Sequence, residues 1–523
     1  MSNIKILDCT LRDGGYINNW EFGFKNIKTI VDNLVLSNID YIECGFLKKD
    51  NYLKDKTFFR EVDNLKEFIN SSVKTKYTLM INYGEIPIDS IPDCKDSDVF
   101  FRIVFKKNEA NEAVEYCKKL ISKGYKIFVN PMHTNTYSYF ELLNLIEKVN
   151  KIKPIGFTIV DTTGAMKEKD ILSLYYLIDN NLDEKIALCF HSHNNLQLSF
   201  SNAQCLMKIC KDRELIIDST LFGMGRGAGN LCSELIVQYI NDNYRGSYNI
   251  IPILKIIDEQ ISPIFAKTPW GYSVPYYLAA TNHCHPNYAK YLVDKQTVPV
   301  EFINNLLKSI PENKKAFYDT SLIKQLYLDK FSKIVDDTKA LQELSEITKE
   351  RMILVLAPGK TLESQKEIVN TFIKKNNPFI ISINFLPQEY RQDILFLTNI
   401  KRFANLNNYK AKMFITSNIP NPPKNARILN YSSYINDSKM FDNVALMLIK
   451  IFISLNIKEI NIAGLDGFSP IATQNYVSDD MINNAKVNEF DERNEIMSEE
   501  LSKFSSKIKI NFITETNYKI SKL

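Results

Sequence analysis

Histidine is scarce in this chain, with five residues in 523, and glycine and proline number only 17 and 18. So little glycine and proline excludes a fibrous or low-complexity chain. The nine cysteines form an odd set without a CxxC pair, which argues against a disulfide framework or a zinc–thiolate site and for buried thiols in a reducing compartment. No apolar run approaches the roughly 18 residues that span a bilayer. Charges at Lys5, Asp8, Arg12 and Asp13 leave no room for the apolar centre of a secretory signal, so the expected location is the cytoplasm. A charge excess of one sign is missing too: 65 Lys and Arg face 61 Asp and Glu, a net +4, too mild to indicate a nucleic-acid or membrane-surface partner. Partners must therefore be read from sites. What is present is ordinary globular composition, 45% hydrophobic and 24% charged, over a length that predicts two or three domains.

Eight short β-rich runs, at 4–8, 40–43, 77–82, 99–104, 126–130, 156–161, 186–191 and 215–221, alternate with amphipathic segments such as 26–36, 110–122, 137–149 and 196–210. In those segments apolar residues recur every three or four positions, as in a helix burying one face. The alternation predicts a TIM (β/α)₈ barrel. Polar residues fall in or just after each run: Asp8 and Asp13, Glu43, Asn82, Arg102, Asn130, Asp161, His191 and His193, Asp218 and Thr220. In a barrel the carboxyl ends of the strands converge on one mouth, where active sites are built.

The expected domains are a barrel over 1–250, a helical appendage over 251–350 with segments such as 300–309 and 321–335, and a Rossmann-like α/β domain over 351–523. Strands in the last are expected at 352–356, 379–385, 412–416, 426–430 and 459–463. The charged, proline-free stretch 336–350 reads as a connecting helix.

His191 and His193 leave strand seven as HSHNN. Residues two apart in an extended chain project to the same side, so both imidazoles can reach one ion. Asp13, after strand one, supplies a carboxylate. Two imidazoles and a carboxylate suit Mn²⁺ or Mg²⁺, with Zn²⁺ and Co²⁺ as alternatives, and leave coordination positions open for substrate.

Five motifs, LDCTLRDGG (7–15), YIECGF (41–46), VDTTGAM (160–166), HSHNN (191–195) and STLFGMGRGAGN (219–230), stand in the order and spacing of the DRE-TIM metallolyase superfamily. Residues 1–290 resemble that superfamily, and within it the 4-hydroxy-2-oxovalerate aldolase branch, which is related to hydroxymethylglutaryl-CoA lyase and isopropylmalate synthase. The resemblance implies that Asp13, His191 and His193 hold a divalent ion, with Asn230 as an additional ligand. It implies that Arg12 donates to the oxygen that becomes an enolate, and that Glu43 orients Arg12 or a metal-bound water. Arg102, Asp161 and Thr163 are the candidate substrate contacts. The implied reaction is aldol cleavage or addition through the enolate of pyruvate or a related 2-oxo acid, with an aldehyde as partner. Two alternatives are a Claisen-type synthase joining an acyl-CoA to a 2-oxo acid and a non-catalytic barrel serving the C-terminal domain.

One residue departs from the aldolase pattern: Tyr16 stands where those enzymes carry a histidine base. A phenol with an ordinary pKa near ~10 is a poor base at neutral pH, which makes His133, His283 and His285 further candidates. The two last lie in the aromatic segment 268–292, expected as a lid or homodimer contact or as a structural cluster. In the C-terminal domain, ILVLAPGKTLES (353–364) reads as strand, turn and helix, but Leu354 stands where a P-loop needs its first glycine, which excludes Walker A. With INIAGLDGF (460–468) it marks a crevice for a nucleotide or phosphorylated ligand.

Overall fold

The computed structural model describes residues 4–69, 73–94, 99–244, 246–295, 297–331, 333–404, 406, 412–436, 438, 440, 442–471, 474–477, 481 and 487–520. The chain divides into two compact units, Met1–Ala289 with Lys315–Phe317, and Lys290–Lys314 with Tyr318–Leu523.

The first unit is a closed parallel barrel. Its strands are β1 (Ile4–Asp8), β2 (Tyr41–Leu47), β3 (Lys76–Asn82), β4 (Val99–Phe105), β5 (Ile127–Pro131), β6 (Gly156–Asp161), β7 (Ala187–Ser192) and β8 (Leu215–Ser219). Neighbours pair in sequence order, and β1 closes the ring by pairing with both β8 and β2. Helices cover the outside. In Phe24–Leu36 the buried residues are Ile27, Ile30, Val31 and Leu34, the three- and four-residue spacing of a single apolar face. The alternation is incomplete in two places. After β2 come a two-residue strand, Phe58–Phe59, and a 3₁₀ turn, Val62–Glu67, and after β3 only the 3₁₀ turn Ile88–Ser90, which starts behind Pro87. Pro92 stops it there: the residue before a proline is pushed out of the helical region, and Ile91 is extended at φ −96°, ψ +117°.

Strand periodicity sorts the barrel interior into layers. Leu7, Tyr41, Phe100, Phe128, Cys189 and Ile216 form one apolar cluster. Two residues further along five of those strands stand Glu43, Arg102, Asn130, His191 and Asp218, all buried. A side chain two positions on points to the same side, so a polar layer lies directly above the apolar one. Strand β2 runs on past Glu43 to Leu47. The register against β3 shifts between Glu43 and Gly45, a bulge made at a glycine with φ +149° where a Cβ would lie 2.0 Å from the Thr57 carbonyl oxygen.

The second unit is an open, all-parallel sheet of β9 (Ile353–Leu356), β10 (Phe379–Ile383), β11 (Ile394–Leu397), β12 (Lys412–Thr416), β13 (Arg427–Leu429), β14 (Glu459–Ala463) and β15 (Lys509–Phe512). Its spatial order is β13-β12-β11-β10-β9-β14-β15. Strands β11 and β15 were not expected from the sequence. The helix Thr338–Thr348 occupies the stretch read as a connector, and its Glu343 pairs with Lys412 and Arg427. All nine cysteines are free thiols, and no helix among the described residues is long and apolar enough to cross a membrane.

Candidate metal centre

Asp13, His191 and His193 meet at the barrel mouth. The Asp13 Oδ2 lies 3.8 Å from His191 Nε2 and 3.9 Å from His193 Nδ1. These distances are too long for hydrogen bonds, yet the three donor atoms lie within 4.8 Å of one another. His191 is oriented from behind: its Nδ1 sits 2.9 Å from the Asp218 carboxylate, which fixes Nδ1 as the protonated nitrogen and leaves the Nε2 lone pair facing Asp13. Burial is the largest influence on His193, pushing its pKa down to about 3, so the ring is neutral and able to ligate. Burial alone would raise Asp13, but Arg12, His193, His191 and Arg226 together hold it well below the usual carboxylate range. It is ionised at neutral pH.

Asn230 completes the set. Its Nδ2 donates to Asp13 Oδ2 at 2.7 Å and to the Met224 carbonyl at 3.1 Å. Both partners are acceptors, so the amide orientation is fixed and Oδ1 is the oxygen left buried without a partner. An orphaned carbonyl oxygen beside two imidazoles and a carboxylate is a donor set of the kind that can take a divalent cation. Cys9, His191 and Asp218 form a second cluster of ligand-type residues. It is less suitable, because burial raises the Cys9 thiol's pKa well above its ordinary value and Asp218 is already engaged by Arg102 at 2.5 Å.

Arg12 donates through Nε to Glu43 at 2.7 Å and through Nη1 to Asp13 at 2.7 Å. Burial alone would lower its pKa, but these carboxylates outweigh it. The backbone is pinned as well, since the Trp20 indole donates to the Arg12 carbonyl at 2.7 Å. Gly15 makes room for that indole: a Cβ there would lie 2.1 Å from it. Three of the expected site residues serve as internal wiring. Arg102 donates to Glu43 at 3.2 Å, Asn130 at 3.1 Å and Asp218, in the same polar layer as His191. Asp161 accepts from the Ala165 and Met166 N–H groups at 3.0 Å each and so shapes its own loop. Thr163 is buried, and its carbonyl accepts from Asn195, whose other amide atom accepts from Ala228 N–H. Asn195 thus staples the VDTTGAM loop to the loop that carries Asn230.

The proton-transfer candidates separate in the structure. Tyr16 is 40% exposed, and desolvation pushes its phenol up from 10, so it is a donor at neutral pH. His133 is buried at a left-handed turn, φ +51°. It hydrogen-bonds the Ala316 backbone, and its Nε2 has no partner. Burial, then Arg226, lowers its pKa to about 4. His285 also senses Arg226, His133 and His193, and burial brings it to about 3. His283 is exposed.

Arg226, absent from the expected residues, is the cation these groups share. It lies 4.9 Å over the Tyr16 ring, at the tip of the turn closed by Gly229 N–H to the Arg226 carbonyl. Among the described residues its guanidinium has no hydrogen bond or ion pair. The signal in the sequence was a lone long cation within GMGRGAGN, a run otherwise made of small or apolar residues up to Asn230.

Residues 95–252 match the HMGL-like family. Among curated proteins, the oxaloacetate decarboxylase of Mycobacterium tuberculosis (strain ATCC 25618 / H37Rv) is 23% identical over 277 residues, covering 51% of this chain and 79% of the relative. The 4-hydroxy-2-oxovalerate aldolase of Geobacillus genomosp. 3 is 24% identical over 242 residues, covering 46% and 70%. Among solved structures, the N-terminal domain of a Bacteroides vulgatus protein named as an aldolase is 26% identical with a TM-score of 0.47, covering 55% of this chain and 96% of that one. Over residues 95–252 the barrel is similar to the HMGL-like family, and three of the five motifs lie within that stretch.

Proposed function

We propose that the barrel is a divalent-metal-dependent aldolase, making or breaking a carbon–carbon bond through the enolate of pyruvate or a related 2-oxo acid. The observation that carries this reading is the meeting of Asp13, His191, His193 and the orphaned Asn230 oxygen beside Arg12. A divalent cation held by those four residues, Mn²⁺ or Mg²⁺ by our reading, would polarise the keto oxygen of the 2-oxo acid as a Lewis acid. Arg12 spends Nε and Nη1 on Glu43 and Asp13, which leaves Nη2 to donate to the oxygen on which negative charge grows. A fixed cation aimed at developing charge stabilises the transition state more than the ground state. Glu43 Oε2 and Asp218 Oδ2 hold Arg12 and His191 in place.

His133 is the base in this reading. Its ring is neutral and Nε2 carries an available lone pair, whereas Tyr16 holds its proton. Its low pKa makes it a weak acceptor that returns the proton readily, which suits a reversible reaction. Tyr16, beside Arg226, donates to the oxygen of the aldehyde partner, and Arg226 binds an anionic group on that partner.

The test is protein with Mn²⁺ and pyruvate in D₂O, followed by NMR of the methyl group. Deuterium incorporation that is lost in both Asp13→Ala and His191→Ala supports the reading. Absence of exchange with several 2-oxo acids, despite tight Mn²⁺ binding, overturns it. Exchange that requires an acyl-CoA would point to a Claisen-type synthase. Release of CO₂ from oxaloacetate without aldol activity would point to a decarboxylase, the activity named for the Mycobacterium relative.

A further inference from the structure

The first unit includes three residues from far down the chain. The chain leaves it after Ala289, belongs to the second unit from Lys290 to Lys314, returns for Lys315–Phe317 and departs again at Tyr318. The returning residues are tied by their backbone. The Lys315 carbonyl accepts from the His285 N–H at 2.7 Å, and the Phe317 carbonyl accepts from the Tyr288 hydroxyl at 2.8 Å. Ala316, between them, is the residue whose backbone bonds the His133 ring. Against the burial that lowers the ring's pKa, that bond raises it, the sign an accepting carbonyl gives and a donating N–H would reverse. His133 Nε2 has no partner, so the nitrogen that donates is Nδ1. The proton is thereby placed on Nδ1 and the lone pair on Nε2, the form in which the ring serves as a base through Nε2.

Backbone and ring of His133 are held by different stretches of sequence. The backbone is held by its barrel neighbours: its N–H donates to the Thr162 hydroxyl at 2.9 Å, and its carbonyl accepts from the Thr136 N–H and hydroxyl at 2.8 Å each. These bonds over-determine a left-handed conformation, φ +51°, that a residue other than glycine adopts only where its surroundings impose it. None of them constrains the side-chain torsions. The ring lies instead against Phe317, edge to face, with centroids 5.9 Å apart and planes at 78°, an arrangement the ring quadrupoles favour. Lys106 places Phe317 in turn, its Nζ 4.9 Å from that ring's centroid in a cation–π contact. Lys106 directly follows β4 and His133 stands two residues after β5, so one aromatic ring reaches two neighbouring strand ends. At 42% exposure Phe317 adds little to the core, and its loss is to be read at His133 more than in stability.

We propose that the returning segment is a positioning element for proton transfer: the Ala316 carbonyl sets the tautomer of His133, and the Phe317 ring sets the plane of its imidazole. The proposal rests on His133 being the base of the aldolase reading. A general base contributes about 10²–10⁴-fold, and a misplaced one loses part of that. In the full chain with Mn²⁺ and pyruvate in D₂O, Phe317→Ala should cut methyl exchange at saturating pyruvate about tenfold or more. KM should stay within about twofold, because the binding groups are untouched. Phe317→Tyr, which keeps the ring, should recover most of the rate, and Tyr288→Phe, which removes the donor to the Phe317 carbonyl, should lose part of it. In a His133→Gln background Phe317→Ala should cost nothing further, since it acts through the imidazole. Mn²⁺ binding, read by electron paramagnetic resonance, should be unchanged in every variant and so report that they fold. Nitrogen-15 NMR of histidine-labelled protein supplies a readout without turnover. Five histidines keep the spectrum sparse, and His133→Gln assigns the signal. His133 should be protonated at Nδ1 in the parent and lose that preference in Phe317→Ala. If the parent shows no exchange, the aldolase reading fails and the tautomer alone decides this proposal. It is overturned if His133 carries its proton on Nε2, or if Phe317→Ala leaves both rate and tautomer unchanged. It fails equally if Phe317→Ala slows the His133→Gln variant by the same factor as the parent.

Discussion

The barrel and the open sheet are both all-parallel, and both carry polar side chains at the carboxyl ends of their strands, yet they build those places differently. A closed sheet has an inside. Residues in mid-strand, such as Glu43 and Arg102, face one another across it and form a dry, charge-balanced layer beneath the reactive groups. An open sheet has no inside, so its crevice is furnished by turns and by flanking helices, and the cations at its rim are half-buried. In the first case electrostatic preorganisation is part of the core; in the second it is laid on the surface of a core that is complete without it.

The largest effect expected of this difference is in the barrel. Asp13→Asn keeps the shape but removes the charge that faces both imidazoles. It should abolish tight Mn²⁺ binding and slow methyl exchange by about 10³-fold, the upper end for losing a key electrostatic group; near-normal exchange would show that the ion sits elsewhere. Next in size is stability. Arg102→Met strands Glu43 and Asp218 without their shared cation and should cost about 3–5 kcal/mol in denaturant unfolding. Arg493→Met in the open crevice should stay within about 0.5 kcal/mol. Equal costs would erase the contrast between core wiring and surface furnishing. Smaller again is Arg226→Ala, which should raise KM for an anionic aldehyde by about tenfold, one charge-assisted hydrogen bond, and leave pyruvate exchange nearly intact. A matching loss in exchange would instead make Arg226 part of the enolate machinery.

The last effect concerns pH. Burial holds His133 at about 4, below the ordinary 6.5, so between those values the unfolded chain binds a proton that the folded chain refuses. The stability this confers is complete above pH 6.5 and is lost as pH falls toward 4. His133→Gln should reduce the slope of unfolding free energy against pH by about one proton in that window. An unchanged slope would mean that the ring titrates freely.

Much of the barrel was legible because each strand ends in a motif whose spacing is set by chemistry, as with Asp13, His191 and His193. What lay beyond reading was whether a polar strand residue meets substrate or another strand. Arg102 and Asp161 have the same sequence signature as a binding residue, and only the neighbours brought by the closed ring show what they hold. Arg226 escaped because a solitary cation in a glycine-rich turn has no periodicity to betray it. In the second unit ILFL (394–397) and KINF (509–512) are four residues each, and the alternation that marks KINF as a half-buried strand is too brief to stand out from its surroundings. By contrast, the 3₁₀ turns after β2 and β3 replace helices expected only from the rhythm of the rest.

Of the chain's two tryptophans, Trp20 fills the space above Gly15 and bonds the carbonyl of Arg12. Trp270 donates to the Phe222 carbonyl at 3.0 Å, in the loop that ends at Asn230. Each indole therefore touches the backbone of one of the two segments that bring Asp13 and Asn230 together. Intrinsic fluorescence becomes a built-in optical gauge: Trp20→Phe and Trp270→Phe would leave one emitter each, so that a change at either segment on adding Mn²⁺ can be followed without a label.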